Sequence, residues 1–332
     1  MGLARHRRLG FIVHLPLKYL ELLLRPRLGE FRHGPMFGVG SARRREVVPS
    51  SIASPCLENH PVQLATLSVQ ETLAGRAPWA LVHGEAFATL RELPSACVDA
   101  VITDPPYSSG GFTRGDRSDP TSNKYVQTGT KIVRPDFAGD NRDQHAFLTW
   151  CALWMSECLR VAKPGSPICV FSDWRQLPSV TDAIQVAGFI WRGLLVWDKT
   201  EAVRPCLGRF SSQCEYVVWG SAGPMPERAD IGVLHGVIRE PVDRSDKHHI
   251  AGKPTAVMKA IARICPNGGV ILDPFAGSGT TGVGALTIGR RFIGFELIEE
   301  YAGVARDRLA ATVTGLSLEA YRAGQIALFH GD

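Results

Sequence analysis

From Trp79 onward the chain alternates between short apolar runs and longer stretches with helical spacing. "WALVHG", "VDAVITD", "SPICVFSD", "FIWRGLLVWDK", "CEYVVWG", "GGVILDPF" and "RFIGFEL" hold continuous or alternating apolar positions and predict seven strands. "DQHAFLTWCALWMSECLRVAKPG" repeats its apolar residues at helical intervals and ends in Pro-Gly, the mark of a helix and its stop. More helices are expected between the third and fourth strands, over "PTAVMKAIARIC", from about Gly279, and from about Glu299 to Ala311. Strands that alternate with helices predict an α/β fold whose mostly parallel sheet is covered on both faces.

Two of the strands end in an unusual way. "VDAVITD" runs into Pro105, Pro106 and Tyr107, and a polar, Gly-rich loop follows over 108–142. Prolines cannot continue a hydrogen-bond ladder, so the chain is stopped and stiffened there with a carboxylate and a ring at the strand end. "ILDPFAGSGTTG" (271–282) also ends a strand in an acid, but its turn is glycine-rich and opens a helix. Glycines let backbone approach a ligand closely, and a helix start offers free N–H groups. Many nucleotide folds use such a turn, so alone it says little. It is not a phosphate P-loop, for no Gly-Lys-Ser/Thr follows, and it lacks the third glycine of the dinucleotide fingerprint. Fourteen residues past Gly282, Glu296 closes the next strand, where a carboxylate can accept from both ribose hydroxyls of a nucleoside.

Composition narrows the class. The chain has 332 residues, 45% hydrophobic and 21% charged, which describes an ordinary globular protein. Eight cysteines without a CxxC pair predict neither a disulfide framework nor a zinc site, and point to a reducing cytoplasm. Cys151 and Cys158 lie two helical turns apart and should pack in the core; no metal is expected. Positive charge is concentrated at the start. Residues 1–48 hold ten Lys/Arg against three Asp/Glu, a net +7, while the remaining 27 and 29 leave −2. Residues 1–75 therefore read as a basic, poorly ordered extension, suited to a nucleic-acid partner. Its apolar stretch is interrupted by His14, Lys18 and Glu21 and falls short of a membrane span.

The two strand ends together resemble the DNA amino-methyltransferases, which use S-adenosylmethionine. "DPPY" (104–107) and "DPFAGSGTT" (273–281) look like that family's two signature motifs, in the order of its circularly permuted β group. The likeness spans about residues 79–312 and includes "AKPG", "VWDK", "RFSSQCEYVVWG" and the His249, Lys253, Pro254 pattern of "HHIAGKP". It implies one Rossmann-like methyltransferase domain over 76–313, with a seven-stranded, mostly parallel sheet and helices on both faces. Residues 108–142 would be a DNA-facing loop, 221–248 a short target-recognition segment, and 314–332 a tail. The strands ending at Asp104 and Asp273 would lie side by side, so that both turns overhang one edge. Asp273, Pro274, Phe275, Gly277, Gly279, Thr280 and Glu296 would hold the cofactor, with Lys253 near its carboxylate. Glu85, where relatives usually carry Asp, would meet its adenine.

The resemblance also gives the proline turn its chemistry. An exocyclic amine is a weak nucleophile because its lone pair is delocalised into the ring. Asp104 and the Pro105 carbonyl would accept its two hydrogens and free that pair, while Pro105 and Pro106 fix the carbonyl's direction. Tyr107 would stack on a base flipped out of the duplex, with Phe210 as a second face. Ser278, Thr280 and Thr281 can instead cap the helix, and Trp197 and Lys199 read as structural. Adenine N6 is the expected target, because relatives with Asp before Pro-Pro-Tyr are mostly adenine enzymes. Cytosine N4 is the close alternative; RNA, a protein amide, or a DNA-binding module without catalysis are weaker ones. Double-stranded DNA is the expected partner, and a homodimer or a cognate restriction endonuclease would fit the same family.

Overall fold

A computed structural model describes residues 68–108, 142–203, 205, 207–242 and 252–324. Most of the basic extension, nearly all of the 108–142 loop, His249 and the end of the tail lie outside these residues. One sheet organises the rest. Its strands are β1 (Trp79–His83), β2 (Ala100–Thr103), β3 (Pro167–Ser172), β4 (Ile190–Asp198), β5 (Cys214–Ser221), β6 (Val237–Arg239), β7 (Val270–Asp273) and β8 (Arg291–Glu296). They lie in the order β1-β8-β7-β2-β3-β5-β4-β6. Every neighbouring pair is parallel except β3/β5 and β4/β5, so β5 alone runs against the others. The sheet thus has eight strands, not the expected seven. The extra one, β6, has only three half-exposed or exposed residues, too short for an alternation to register in the sequence.

Helices cover both faces. On one side α1 (Ala86–Glu92), α2 (Gln144–Val161) and α3 (Leu177–Val186) build a core from Leu90, Phe147, Trp154, Met155 and Ile184. On the other side α4 (Thr255–Ala262), α5 (Thr280–Thr287) and α6 (Glu299–Thr314) contribute Met258, Ile261, Ala285, Ala302 and Leu309. β2, β3 and β7 are buried at every position, which is why they read as unbroken apolar runs. Each large side chain taken from water there contributes ~1.5–3 kcal/mol. α2 starts where Asp143 accepts from the Ala146 N–H at 2.8 Å. Its buried stripe includes Cys151 and Cys158, which are core thiols as expected.

Described structure extends on both sides of the 76–313 span. Residues 68–73 are helical, Val69 and Thr72 are buried, and Arg291 Nη1 donates to the Thr72 and Leu73 carbonyls. Among the described residues, packing is thus already present at 68–73, ahead of Arg76. Beyond α6, α7 (Leu318–Arg322) is tied back by Arg322 Nε donating to Asp307 Oδ2 at 2.8 Å. Among the described residues no helix is long and apolar enough to cross a membrane.

β2 and β7 are neighbours, with Ala100 beside Ile271 and Val101 beside Leu272. From β2 the chain moves through α2 to β3 on one side; from β7 it moves through α5 to β8 on the other. Connections that depart in opposite directions open a crevice at the carboxyl ends of the strands, the place where open α/β sheets bind ligands.

Candidate active site

Asp104 stands just past β2, beside the turn that follows β7. One cleft is lined by Asp104 and Lys253 together with Asp273, Phe275, Gly277 and Thr280. The two distant motifs therefore meet at one rim, as the paired strand ends require.

Asp104 is held on both oxygens. Tyr107 donates its hydroxyl to Oδ1 at 2.6 Å, and Lys253 Nζ donates to Oδ2 at 2.7 Å. Burial pushes the Asp104 carboxyl above the usual carboxylate range, and Lys253 and Tyr107 only partly offset that. Burial likewise leads the causes that lift the Tyr107 phenol well above its ordinary value. For Lys253 burial works the other way, but Asp104 and Glu215 outweigh it and hold the ammonium above its ordinary value. Only 7% of the Lys253 side chain is exposed, and its ammonium lies 5.1 Å from the Tyr107 ring centre and 5.2 Å from that of Phe171. Lys253 therefore clasps Asp104, a partner that the sequence did not indicate. Pro105 is buried, and no described residue donates to its carbonyl.

The glycine turn is fixed from below. Asp273 is 1% exposed, and its carboxylate accepts from Thr103 Oγ1 at 2.6 Å, Thr281 Oγ1 at 2.5 Å and the Phe275 N–H at 3.0 Å. Burial raises this carboxyl to about 6. Asp273 thus ties β2, the turn and α5 together. Gly279 adopts φ +80°, and a Cβ there would stand 3.0 Å from Ala305 Cβ. The turn's hydroxyls do not cap α5: Thr281 serves Asp273, while Arg308 Nη1 donates to Ser278 O at 2.8 Å and Thr280 Oγ1 at 2.9 Å. Arg308, buried on α6, is a residue that sequence reasoning missed. The preceding Arg306 and Asp307 make it read as part of a charged, solvated face, and no spacing pointed to it.

Phe275 projects from the turn toward α2. Its ring centre lies 5.3 Å from that of Trp150 and 5.2 Å from that of Trp154. Glu296, at the end of β8, accepts from Gly277 N–H and Ile298 N–H, each at 2.8 Å. A carboxylate offers about four acceptor sites, so two backbone donors leave room for hydroxyls. Burial raises the Glu296 carboxyl above its usual range.

Two expected site residues do not line this cleft. Glu85 is exposed and caps α1, accepting from the Ala88 N–H at 2.8 Å. Phe210 belongs to the β4–β5 connection and is fully exposed, not a core residue of a strand edge. Because Ser172 pairs with Tyr216 and Asp198 with Cys214, that connection hangs from the carboxyl edge that also carries Asp104. Trp197 is structural, with its indole N–H donating to Glu240 O at 2.8 Å. Lys199 reaches Glu215, a partly buried carboxylate near the start of β5 that the sequence did not single out. Among the described residues no cluster of His, Cys, Asp or Glu could hold a metal ion.

Comparison with known proteins supplies the chemistry's family. The DNA methylase family model matches residues 98–307. The YubD protein of Escherichia coli (strain K12) is 29% identical over 231 residues, covering 69% of this chain and 89% of that protein. The type II methyltransferase M.HinfI of Haemophilus influenzae is 26% identical over 260 residues, covering 69% of this chain and 67% of its own. Among solved structures, the cytosine-N4-specific PvuII DNA methyltransferase shares the fold with a TM-score of 0.56 at 16% identity, covering 74% of this chain and 91% of its own.

Proposed function

Because the chain belongs to the DNA methylase family, whose members transfer a methyl group from S-adenosylmethionine to an exocyclic amine of DNA, we propose that its target is the N6 amine of adenine. Asp104 as the first residue of "DPPY" supports adenine. The single observation that carries the reading is the cleft that Asp104 shares with the 273–281 turn.

The cofactor fits what the chain presents. Glu296 keeps acceptor sites for ribose hydroxyls, and the positive φ at Gly279 lets the turn's backbone pass close to a ligand. Pro274 and Gly277 shape that turn, Thr280 is locked to Arg308, and Phe275 is braced by Trp150 and Trp154. When bound, S-adenosylmethionine supplies an electrophilic methyl carbon.

The chain's own residues prepare the acceptor. Asp104 and the Pro105 carbonyl take the two amine hydrogens and turn the nitrogen's lone pair outward. The base reaches them only by leaving the duplex, at a cost of a few kcal/mol. Tyr107 stacks on it and returns ~1–3 kcal/mol. The methylated nitrogen is acidic and releases a proton, so no strong base is required.

Cytosine N4 is the second reading, favoured by the fold shared with a cytosine-N4-specific enzyme. DNA methylated with labelled cofactor and hydrolysed to nucleosides distinguishes them. Label in N6-methyladenine is expected; label confined to N4-methylcytosine overturns the adenine assignment. A homodimer and a cognate endonuclease remain proposals, tested by light scattering and by asking whether modified DNA resists a co-encoded nuclease.

A further inference from the structure

Four charged side chains of alternating sign run from the β4–β5 connection to the cleft. Lys199 Nζ lies 3.4 Å from Glu215 Oε1, Glu215 Oε2 lies 3.3 Å from Lys253 Nζ, and Lys253 Nζ lies 2.7 Å from Asp104 Oδ2. None has more than 21% of its side chain exposed, so solvent screens the row poorly. The proposed reaction explains Asp104 but gives Glu215 no task.

A buried ammonium facing one buried carboxylate would bind it with its full charge. Asp104 would then be a poor acceptor for a neutral amine, because its electrons would already be drawn toward Lys253. A second carboxylate on the same ammonium divides that pull. We infer that Glu215 is a positioning residue for methyl transfer: through Lys253 it moderates the grip on Asp104, leaving that carboxylate able to accept the target amine. This inference rests on the proposed role of Asp104. Lys199 completes the balance, since it neutralises Glu215 from the far side.

Among the described residues, ionisable groups that act on this row include Tyr107 beyond β2, Asp173 beyond β3 and Asp273 at the end of β7. Lys253 and Lys199 together hold Glu215 below its ordinary value despite its burial, so Glu215 carries charge at neutral pH. Its negative charge in turn is one of the groups raising Asp104. The two lysines and two carboxylates balance.

The test compares Glu215→Gln, Lys199→Gln and Asp104→Asn with wild type, measuring kcat against pH on duplex DNA and cofactor affinity by calorimetry. Removing the Glu215 charge lowers the Asp104 pKa, so the acid limb of the profile moves to lower pH. Lys253 then grips Asp104 harder, and kcat falls on the order of 10- to 100-fold, with cofactor affinity within a few fold. Lys199→Gln leaves Glu215 less neutralised and moves the limb to higher pH. Opposite movements of the two limbs are expected, and Glu215→Asp restores much of the rate. A general structural defect would lower the rate without moving the limbs in opposite directions. Should Glu215→Gln fail to fold, the upward shift in Lys199→Gln still decides. Limbs that stay in place, or move together, overturn the inference while an inert Asp104→Asn preserves the proposed function. Wild-type transfer by Asp104→Asn would overturn both.

Discussion

The Tyr107 hydroxyl donates to Asp104 Oδ1 at 2.6 Å, across a turn whose two intervening residues are prolines. The ring expected to hold the base thus also engages the acid expected to activate it. An incoming amine must compete with a phenol for the same carboxylate oxygen.

Replacing Tyr107 separates the two duties. Tyr107→Ala loses the stacking surface and should cost ~1–3 kcal/mol in kcat/KM for DNA. Tyr107→Phe keeps the ring and removes the competitor for Oδ1, so kcat/KM should stay within a few fold of wild type. Steady-state kinetics on a duplex substrate checks both.

Asp104→Ala should lower kcat by roughly 10²–10³-fold or more, in the range for losing one preorganised polar partner of a reacting group. Cofactor affinity, read by calorimetry, should stay within a few fold. Equal loss of both would make Asp104 a structural residue.

Arg308 braces the glycine turn from α6 without lining the cleft. Removing buried hydrogen-bond donors of this kind costs about 1–3 kcal/mol. Arg308→Ala should therefore weaken cofactor binding by about tenfold, or about 1.4 kcal/mol. Saturating cofactor should restore most of kcat. Titration calorimetry and kinetics at high cofactor concentration read the two effects.

Asp273 predicts a stability signature. Its carboxyl in the folded chain is raised to about 6 from 3.8, so between those values the folded form keeps a proton that the unfolded form releases. This group's contribution to stability is therefore greatest at low pH and declines as pH rises through about 6, by at most ~3 kcal/mol. The melting temperature of wild type minus that of Asp273→Asn should be larger at pH 5 than at pH 7.5. A constant difference would mean Asp273 titrates normally.

Phe210 is fully exposed on a connection at the catalytic edge. If it meets DNA, Phe210→Ala should weaken duplex affinity and leave cofactor affinity unchanged. A 2-aminopurine at the target position would report whether extrusion of the base is impaired.

The parts legible in the sequence were those in which one residue type forces one local geometry. Buried parallel strands show as unbroken apolar runs, and "DPPY" and "DPFAGSGTT" mark where two of them end. Their adjacency came from the family likeness, and the β2–β7 pairing bears it out. What stayed hidden were side chains whose partners lie far along the chain. Lys253 finds Asp104 across 149 positions, and Arg308 finds Ser278 across 30. Glu215 sits at the second position of a strand, where an acid ordinarily faces water. Glu85 and Phe210 are exposed, and a motif position alone does not say what an exposed side chain meets.

The reversed run of β5 has a practical corollary. Its connection to β4 leaves and re-enters the sheet at one end, so changes in its length or composition need not displace the flanking strands. The cofactor turn, by contrast, belongs to β7 and is locked to β2 and α6. The β4–β5 connection and the β7 turn are thus separable pieces of chain, and a foreign hairpin grafted at residues 200–212, leaving Lys199 in place, should leave the bonds of Asp273 and Arg308 intact.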